Sequence, residues 1–238
     1  MRIDPEKCIG CGSCLPYCPM RAITLEDGLA VIDEEACVDC NVCFRAGVCP
    51  TEAIFMPELT WPRSVRNTFS DPLVPHKSTQ VLGRGTEEMK TNEVTGRFRL
   101  GYVGMAAELG RPGTGTYFRD VEKVARAVAA VGAKFEPKNP VTSLMIDTST
   151  GQLREDILLE KVLSAIVEFE IPVEKAGAAL AALKKVAQEI DTVFSLDIIS
   201  RVAPDGTTPI QQLAQEAGFT PSLNGKTNVG LGRPRADV

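Results

Sequence analysis

"CIGCGSCLPYCP", residues 8–19, sets four cysteines within eleven positions and follows the last with proline. The arrangement returns as "CVDCNVCFRAGVCP", residues 37–50. Written by spacing, the first copy is Cys8-x2-Cys11-x2-Cys14-x3-Cys18-Pro19, and the second is Cys37-x2-Cys40-x2-Cys43-x5-Cys49-Pro50. The flanks repeat as well: "RIDPEKC" answers "VIDEEAC", and "CPMRAI" answers "CPTEAI". The chain contains an internal duplication, whose halves are expected to be related by an approximate two-fold axis.

All eight cysteines of the 238-residue chain lie between positions 8 and 49. A disulfide framework would staple more of the chain, and a reducing compartment disfavours it. Tetrahedral zinc is usually bound by cysteine pairs separated by a long stretch, one pair to each side of the ion. Three cysteines at successive intervals of three instead wrap one face of an iron–sulfur cubane, each thiolate on a different iron. The fourth iron then needs a remote ligand. The spacing favours two [4Fe–4S] clusters, with zinc and disulfides as the alternatives.

Over residues 1–57 the chain resembles the bacterial two-cluster ferredoxins. The resemblance implies that Cys8, Cys11, Cys14 and Cys49 hold one cluster, and that Cys37, Cys40, Cys43 and Cys18 hold the other. One departure stands out: the second copy has five residues, "FRAGV", where the first has three. The extra pair is expected to bulge beside the second cluster and alter its solvent access and amide hydrogen bonding. Fifty-seven residues bury little apolar surface, so ligation is expected to supply much of this module's stability. Ile3, Ile23, Ile32 and Ile54 occupy matching places in the two copies and are expected to sheathe the clusters.

The composition, 44% hydrophobic and 24% charged, is that of an ordinary globular protein. No apolar run approaches the roughly 18 residues of a membrane span. The start, "MRIDPEKCIG", lacks the apolar region of a secretion signal, and a cytoplasmic protein is expected. Residues 1–57 carry four basic and nine acidic side chains, whereas residues 58–238 carry 22 of each. Such an acidic module should attract a basic patch on a redox partner and repel nucleic acid.

Residues 58–96 show no sustained period, with Pro62, Pro72 and Pro75 as breakers and Gly83, Gly85 and Gly96 as turn markers. Flexible linkers seldom contain residues such as Trp61, Phe69 and Leu73, so an ordered arm is expected. "GRGTEEMKTN", residues 83–92, lacks phosphate-loop spacing and carries two glutamates that would repel phosphate. His76, the sole histidine, sits beside Pro75 in a polar loop and is expected in solvent.

From residue 97 the periodicity becomes legible. "RFRLGYVGMAAEL" (97–109) reads as a strand with Phe98, Leu100 and Tyr102 on one face. "FRDVEKVARAVAAVG" (118–132) has Val121, Val124, Ala125, Val128 and Val131 at helical spacing and Gly132 as a stop. "VTSLMID" (141–147) reads as the second strand, turned by "TSTG", and "KVLSAIVEFEI" (161–171) as the third. A helix through Leu180 and Leu183 and the strand "TVFSLDIIS" (192–200) complete a βαββαβ order. The fold class is therefore α+β: a two-cluster module at 1–57, a Pro/Gly-rich arm at 58–96, an antiparallel-sheet domain at 97–203, and a helix with a basic tail at 204–238.

The stretch "ELGRPGTGTYFRDVEKVARAVAAVGAKF" (108–135) is similar to the first strand–turn–helix of ACT-type regulatory domains. That resemblance implies that Arg111, Gly113, Thr114, Gly115 and Thr116 stand at a helix N-terminus, where free N–H groups suit a carboxylate or phosphate of a small anionic metabolite. Helices on one sheet face leave the other to be covered, by a second copy or by a larger subunit.

These readings converge on a low-potential electron carrier of anaerobic metabolism, serving a redox protein or a flavin-containing oxidoreductase subunit. Two others stand beside it: a ligand-binding regulatory protein whose iron–sulfur module is controlled through residues 111–116, and an enzyme with its own site in residues 58–238. Against the last, no nucleophile–base pair or dinucleotide fingerprint occurs beyond residue 57.

Overall fold

The duplicated segment closes on itself through two short antiparallel ladders. Strand β1 (Arg2–Ile3) pairs with β4 (Ile54–Phe55), and β2 (Ile23–Glu26) pairs with β3 (Leu29–Ile32). The registers set Ile3 opposite Ile54 and Ile23 opposite Ile32. All four expected isoleucines pack with Cys14, Cys37 and Cys43 in one small core. Asp27 and Gly28, both at positive φ, turn the β2–β3 hairpin, a geometry that matches the twist of its strands.

This computed structural model describes residues 1–78, 80, 99–111, 113–201, 204–207 and 209–221. Phe98, the segment 83–92 and the tail 224–238 lie outside them. Among the described residues no helix is long and apolar enough to cross a membrane.

The duplication is written into the backbone. Gly10 and Gly12 of the first copy have positive φ, as do their counterparts Asp39 and Asn41. Arg21, three residues after Cys18, shares this with Glu52, three residues after Cys49. Where the first copy has a 3₁₀ turn, Leu15–Tyr17, the second has a one-turn helix α1, Val42–Arg45. The two extra residues lie within 44–48, the stretch that α1 opens.

The arm is not free of regular structure. Helix α2, Ser64–Ser70, fits between Pro62 and Pro72 and buries Val65 and Phe69, one helical turn apart, in the larger core. Two turns are too short to leave a periodic signature.

The larger core lies beneath a four-stranded antiparallel sheet. In chain order its elements are β5 (Tyr102–Leu109), helix α3 (Phe118–Ala129), β7 (Lys134–Phe135), β11 (Ala165–Pro172), helix α4 (Ala176–Val186) and β12 (Phe194–Ile199). The spatial order is β12-β5-β11-β7. Val103, Met105, Ala107 and Leu109 of β5 and Ala165, Val167, Phe169 and Ile171 of β11 pack with Val121, Val124, Ala125 and Val128 of α3 and Leu180 and Leu183 of α4. Helix α5, Pro209–Glu216, adds Ile210 and Ala214.

Two strand expectations require correction. The first strand begins at Tyr102, not at 97; Leu100 is 61% exposed, and Gly101 turns the chain at positive φ. The sheet's second strand is Lys134–Phe135, whereas residues 142–144 form a 3₁₀ turn and β8 (Met145–Asp147) pairs with β9 (Gln152–Leu153) as a separate hairpin. Asp147 fixes that hairpin by accepting the Ser149 N–H at 2.8 Å and the Thr150 hydroxyl at 3.0 Å. Strand β6 (Thr116–Tyr117) pairs with β10 (Lys161–Val162) at the edge facing the cysteine module.

Candidate metal centre

Cys8, Cys11, Cys14 and Cys49 line one cavity together with Ile3, Ile9, Ala30 and Ile54. Cys49 reaches it from the second copy of the motif, because β4 returns the chain antiparallel to β1. The other four thiols, Cys18, Cys37, Cys40 and Cys43, are near enough to perturb one another's ionisation. The duplication thus exchanges its fourth cysteines.

The chemistry of each group follows from burial. Desolvation pushes the Cys43 thiol up to about 11, with Cys40, Cys37 and Cys18 adding repulsion. Burial likewise raises Cys37, Cys40 and Cys14. In the first group the Ser13 hydroxyl and N–H lower Cys11, and at Cys49 burial is outweighed by the N–H of Ala53 and the hydroxyl of Thr51. Crowded, buried thiols of this kind become thiolates only when cations stand among them. Backbone amides already point at sulfur: Ala22 donates to Cys18 at 3.1 Å, Ala53 to Cys49 at 3.2 Å, and Ala30 to Cys8 at 3.4 Å. The first two are equivalent bonds of the two copies. Such donors suit sulfurs that carry negative charge as metal-bound thiolates.

The second loop is held by residues of the arm. Arg66, 3% exposed, donates to the carbonyls of Glu34 (2.9 Å), Glu35 (3.1 Å) and Cys37 (2.9 Å), and its Nε pairs with Glu160. Asn67 donates to the Asp39 carbonyl at 2.8 Å. Arg63 Nε stands 3.0 Å from Asp39 Oδ2, close enough for ion pairing although off hydrogen-bond alignment. Arg45, the last residue of α1, donates to the Cys40 carbonyl at 3.0 Å and to Asp71 at 2.6 Å. Burial would raise the Asp71 carboxyl, but the Leu73 N–H, Asn41 amide and Arg45 guanidinium together hold it below the usual range. None of these supports was anticipated. The signal lay in the duplication itself: glycines at 10 and 12 are replaced by Asp39 and Asn41, polar side chains at left-handed positions that need fixed partners.

Within residues 111–116 two of the N–H groups are taken up by the turn itself. Thr114 and Gly115 N–H both donate to the Gly110 carbonyl, while Phe118 and Arg119 at the start of α3 donate to the carbonyls of Glu160 and Leu158. Arg111 pairs with Glu108 at 2.6 Å and donates to Ser164 at 3.2 Å. Gly113 is exposed, but Gly115 and Thr116 are buried, and a Cβ at Gly115 would lie 2.8 Å from Met20 Cε. The turn abuts the cysteine module two residues after Cys18. His76, expected in solvent, is 8% exposed, edge-on to Phe69 at 5.7 Å, with Nδ1 2.8 Å from the Ser78 hydroxyl; burial lowers its pKa.

Comparison with known proteins bears on the first quarter of the chain. The family described as a 4Fe-4S dicluster domain matches residues 1–56. Ferredoxin-1 of Rhodobacter capsulatus is 48% identical over 41 residues, 17% of this chain and 63% of the relative. This chain therefore spans less than two thirds of that relative's length. A ferredoxin-like protein in the vnf region of Azotobacter chroococcum is 38% identical over 60 residues, 24% of this chain and 92% of the relative. A subunit of the ion-translocating oxidoreductase complex of Methanosarcina acetivorans is 45% identical over 47 residues, 20% of this chain and 17% of the relative. No solved structure matches the chain. Through its N-terminal module the chain belongs to the two-cluster ferredoxins, iron–sulfur electron-transfer proteins with two [4Fe–4S] clusters.

Proposed function

We propose that this protein is a low-potential electron carrier working in the cytoplasm as the ferredoxin-type subunit of a larger oxidoreductase. The observation that carries the reading is the grouping of eight thiols into two fours, each drawn from both copies of the motif, on an acidic module. When bound, each cluster takes up and releases one electron at a time. Cys8, Cys11, Cys14 and Cys49 would hold the first, and Cys18, Cys37, Cys40 and Cys43 the second. The N–H groups of Ala22, Ala30 and Ala53 steady the sulfurs against added negative charge. The surrounding carboxylates oppose extra electrons and draw the potential down. Eight thiols reserved for metal belong in a reducing compartment, which supports the cytoplasm.

In this reading residues 1–57 carry the electrons, 58–96 form the connecting arm, 97–203 an ACT-like domain, and 204–238 a helix and tail. The βαββαβ element order and the R-P-G turn at 111–113 support the ACT-like assignment. The ACT-like domain docks the module on its catalytic subunit rather than sensing a metabolite. The N–H groups of Thr114, Gly115, Phe118 and Arg119, all bonded within the chain, favour that choice. The local likeness to one component of an ion-translocating oxidoreductase complex favours a multisubunit setting. Gentle anaerobic purification from the native source tests the proposal. A flavin- or metal-containing catalytic subunit should accompany the chain; turnover by the isolated chain, with nothing attached, would contradict it.

A further inference from the structure

The two copies of the cysteine motif differ in what covers them, and equivalent residues can be compared directly. Ile9 is 64% exposed, and its counterpart Val38 is 1% exposed. Cys11 is exposed, and its counterpart Cys40 is buried. Ser13 is exposed where Val42 is half-buried, and Gly10 and Gly12 are half-buried where Asp39 and Asn41 are buried. The second loop is covered by the chain's own helix α2 and by Asp71, through Arg66, Asn67 and the bonds to Asn41 and Arg45. One sequence pattern, placed twice, leaves one thiol loop in water and seals the other.

Resting on the electron-carrier reading, we propose that, apart from the subunit held by the C-terminal domain, the protein that exchanges electrons with the module docks on the first loop, on a face made by Ile9, Cys11, Ser13 and the tip of the β2–β3 hairpin, and that it carries a basic patch. The hairpin lies directly against that loop. A Cβ at Gly10 would meet the Gly28 carbonyl at 1.8 Å, one at Gly12 would meet Leu25 Cδ1 at 3.7 Å, and Ala30 donates to the Cys8 sulfur. The tip presents Glu26 and Asp27, both exposed, beside Leu25, which is 47% exposed. Ile9 and Leu25 thus give an apolar centre flanked by carboxylates, the complement of a lysine- and arginine-rimmed apolar spot. Electron tunnelling weakens with every intervening atom, so the exposed Cys11 sulfur is the short route outward. A cluster held by the second set of thiols would then exchange electrons with partners by way of one held by the first.

Carbodiimide cross-linking of the full-length, oxidised holoprotein to a small basic haem protein tests this, after iron and sulfide are counted. Bonds to partner lysines should form from Glu26 and Asp27 and be suppressed at high salt. In stopped-flow oxidation of the reduced holoprotein by the same haem protein, the double variant Glu26→Lys/Asp27→Lys should be slower by about tenfold at low ionic strength. Glu174→Lys, on the C-terminal domain, should keep the parent rate. Cross-links concentrated at Glu34 and Glu35 beside the second loop, or equal slowing by Glu174→Lys, would overturn the docking face. A preparation without iron and sulfide would instead sink the carrier reading on which it rests.

Discussion

Arg66 and Glu160 are paired across 94 residues of sequence, and the same guanidinium grips three carbonyls around Cys37. One side chain therefore fastens the second thiol loop to the edge of the C-terminal domain. Arg66→Ala would leave Glu160, whose side chain is 14% exposed, without its cation, and three loop carbonyls without a donor. Breaking a buried pair from one side costs about 3–5 kcal/mol. The expected result is a chain that keeps its first cluster, loses its second, and melts at lower temperature. Iron and acid-labile sulfide per chain, with thermal unfolding, check both effects. Arg66→Lys should fall between, since an ammonium cannot span all four acceptors.

Cys49 lies in the second motif but lines the cavity of the first. Cys49→Ala should therefore damage the cluster served by Cys14, and Cys18→Ala the one served by Cys43. Iron content should drop by about half in each case, with the reduced-state EPR of one cluster retained. Pairing within each motif would give the opposite assignment when the single variants are compared with Cys14→Ala and Cys43→Ala.

Gly10 sits at a φ of +66°, and an added Cβ would lie 1.8 Å from the Gly28 carbonyl. Left-handed backbone costs an ordinary residue about 1–2 kcal/mol, and here a backbone collision is added. Gly10→Ala should open the β2–β3 hairpin, weaken the first cluster and spare the second. A variant that retains parent iron content and stability would refute the close approach.

His76 gives a pH dependence whose direction can be worked out. Burial holds its folded-state pKa below the ordinary 6.5, so the unfolded chain takes up the proton first as pH falls. The stability it contributes is complete above about 6.5 and is lost progressively as pH drops toward the depressed folded value. Anaerobic urea midpoints between about pH 7.5 and 5.5 should fall with acidity, and His76→Phe should flatten that slope.

What could be read in advance was whatever depends on fixed local spacing. Ligation of iron by thiolates demands it, so the eight cysteines disclosed the chemistry, and the matching isoleucines disclosed the small core around it. Helix α3 was legible because Val121, Val124 and Val128 keep one face of a twelve-residue helix. Strand β7 was not, because its two residues carry no period and "VTSLMID" looked the better strand. Helix α2 hid for the same reason. The pairing of Arg66 with Glu160, and of Trp61 Nε1 with Asp156 at 2.6 Å, joins residues more than 90 positions apart, which no local pattern reveals. His76 was misjudged because its polar neighbours outweighed Phe69, which folds back over it.

The most direct test is metal, sulfide and EPR analysis of anaerobically prepared protein. About eight irons and eight labile sulfides per chain, with signals of two interacting [4Fe–4S]⁺ centres after dithionite reduction, are predicted. Colourless protein holding zinc and no sulfide would contradict the account.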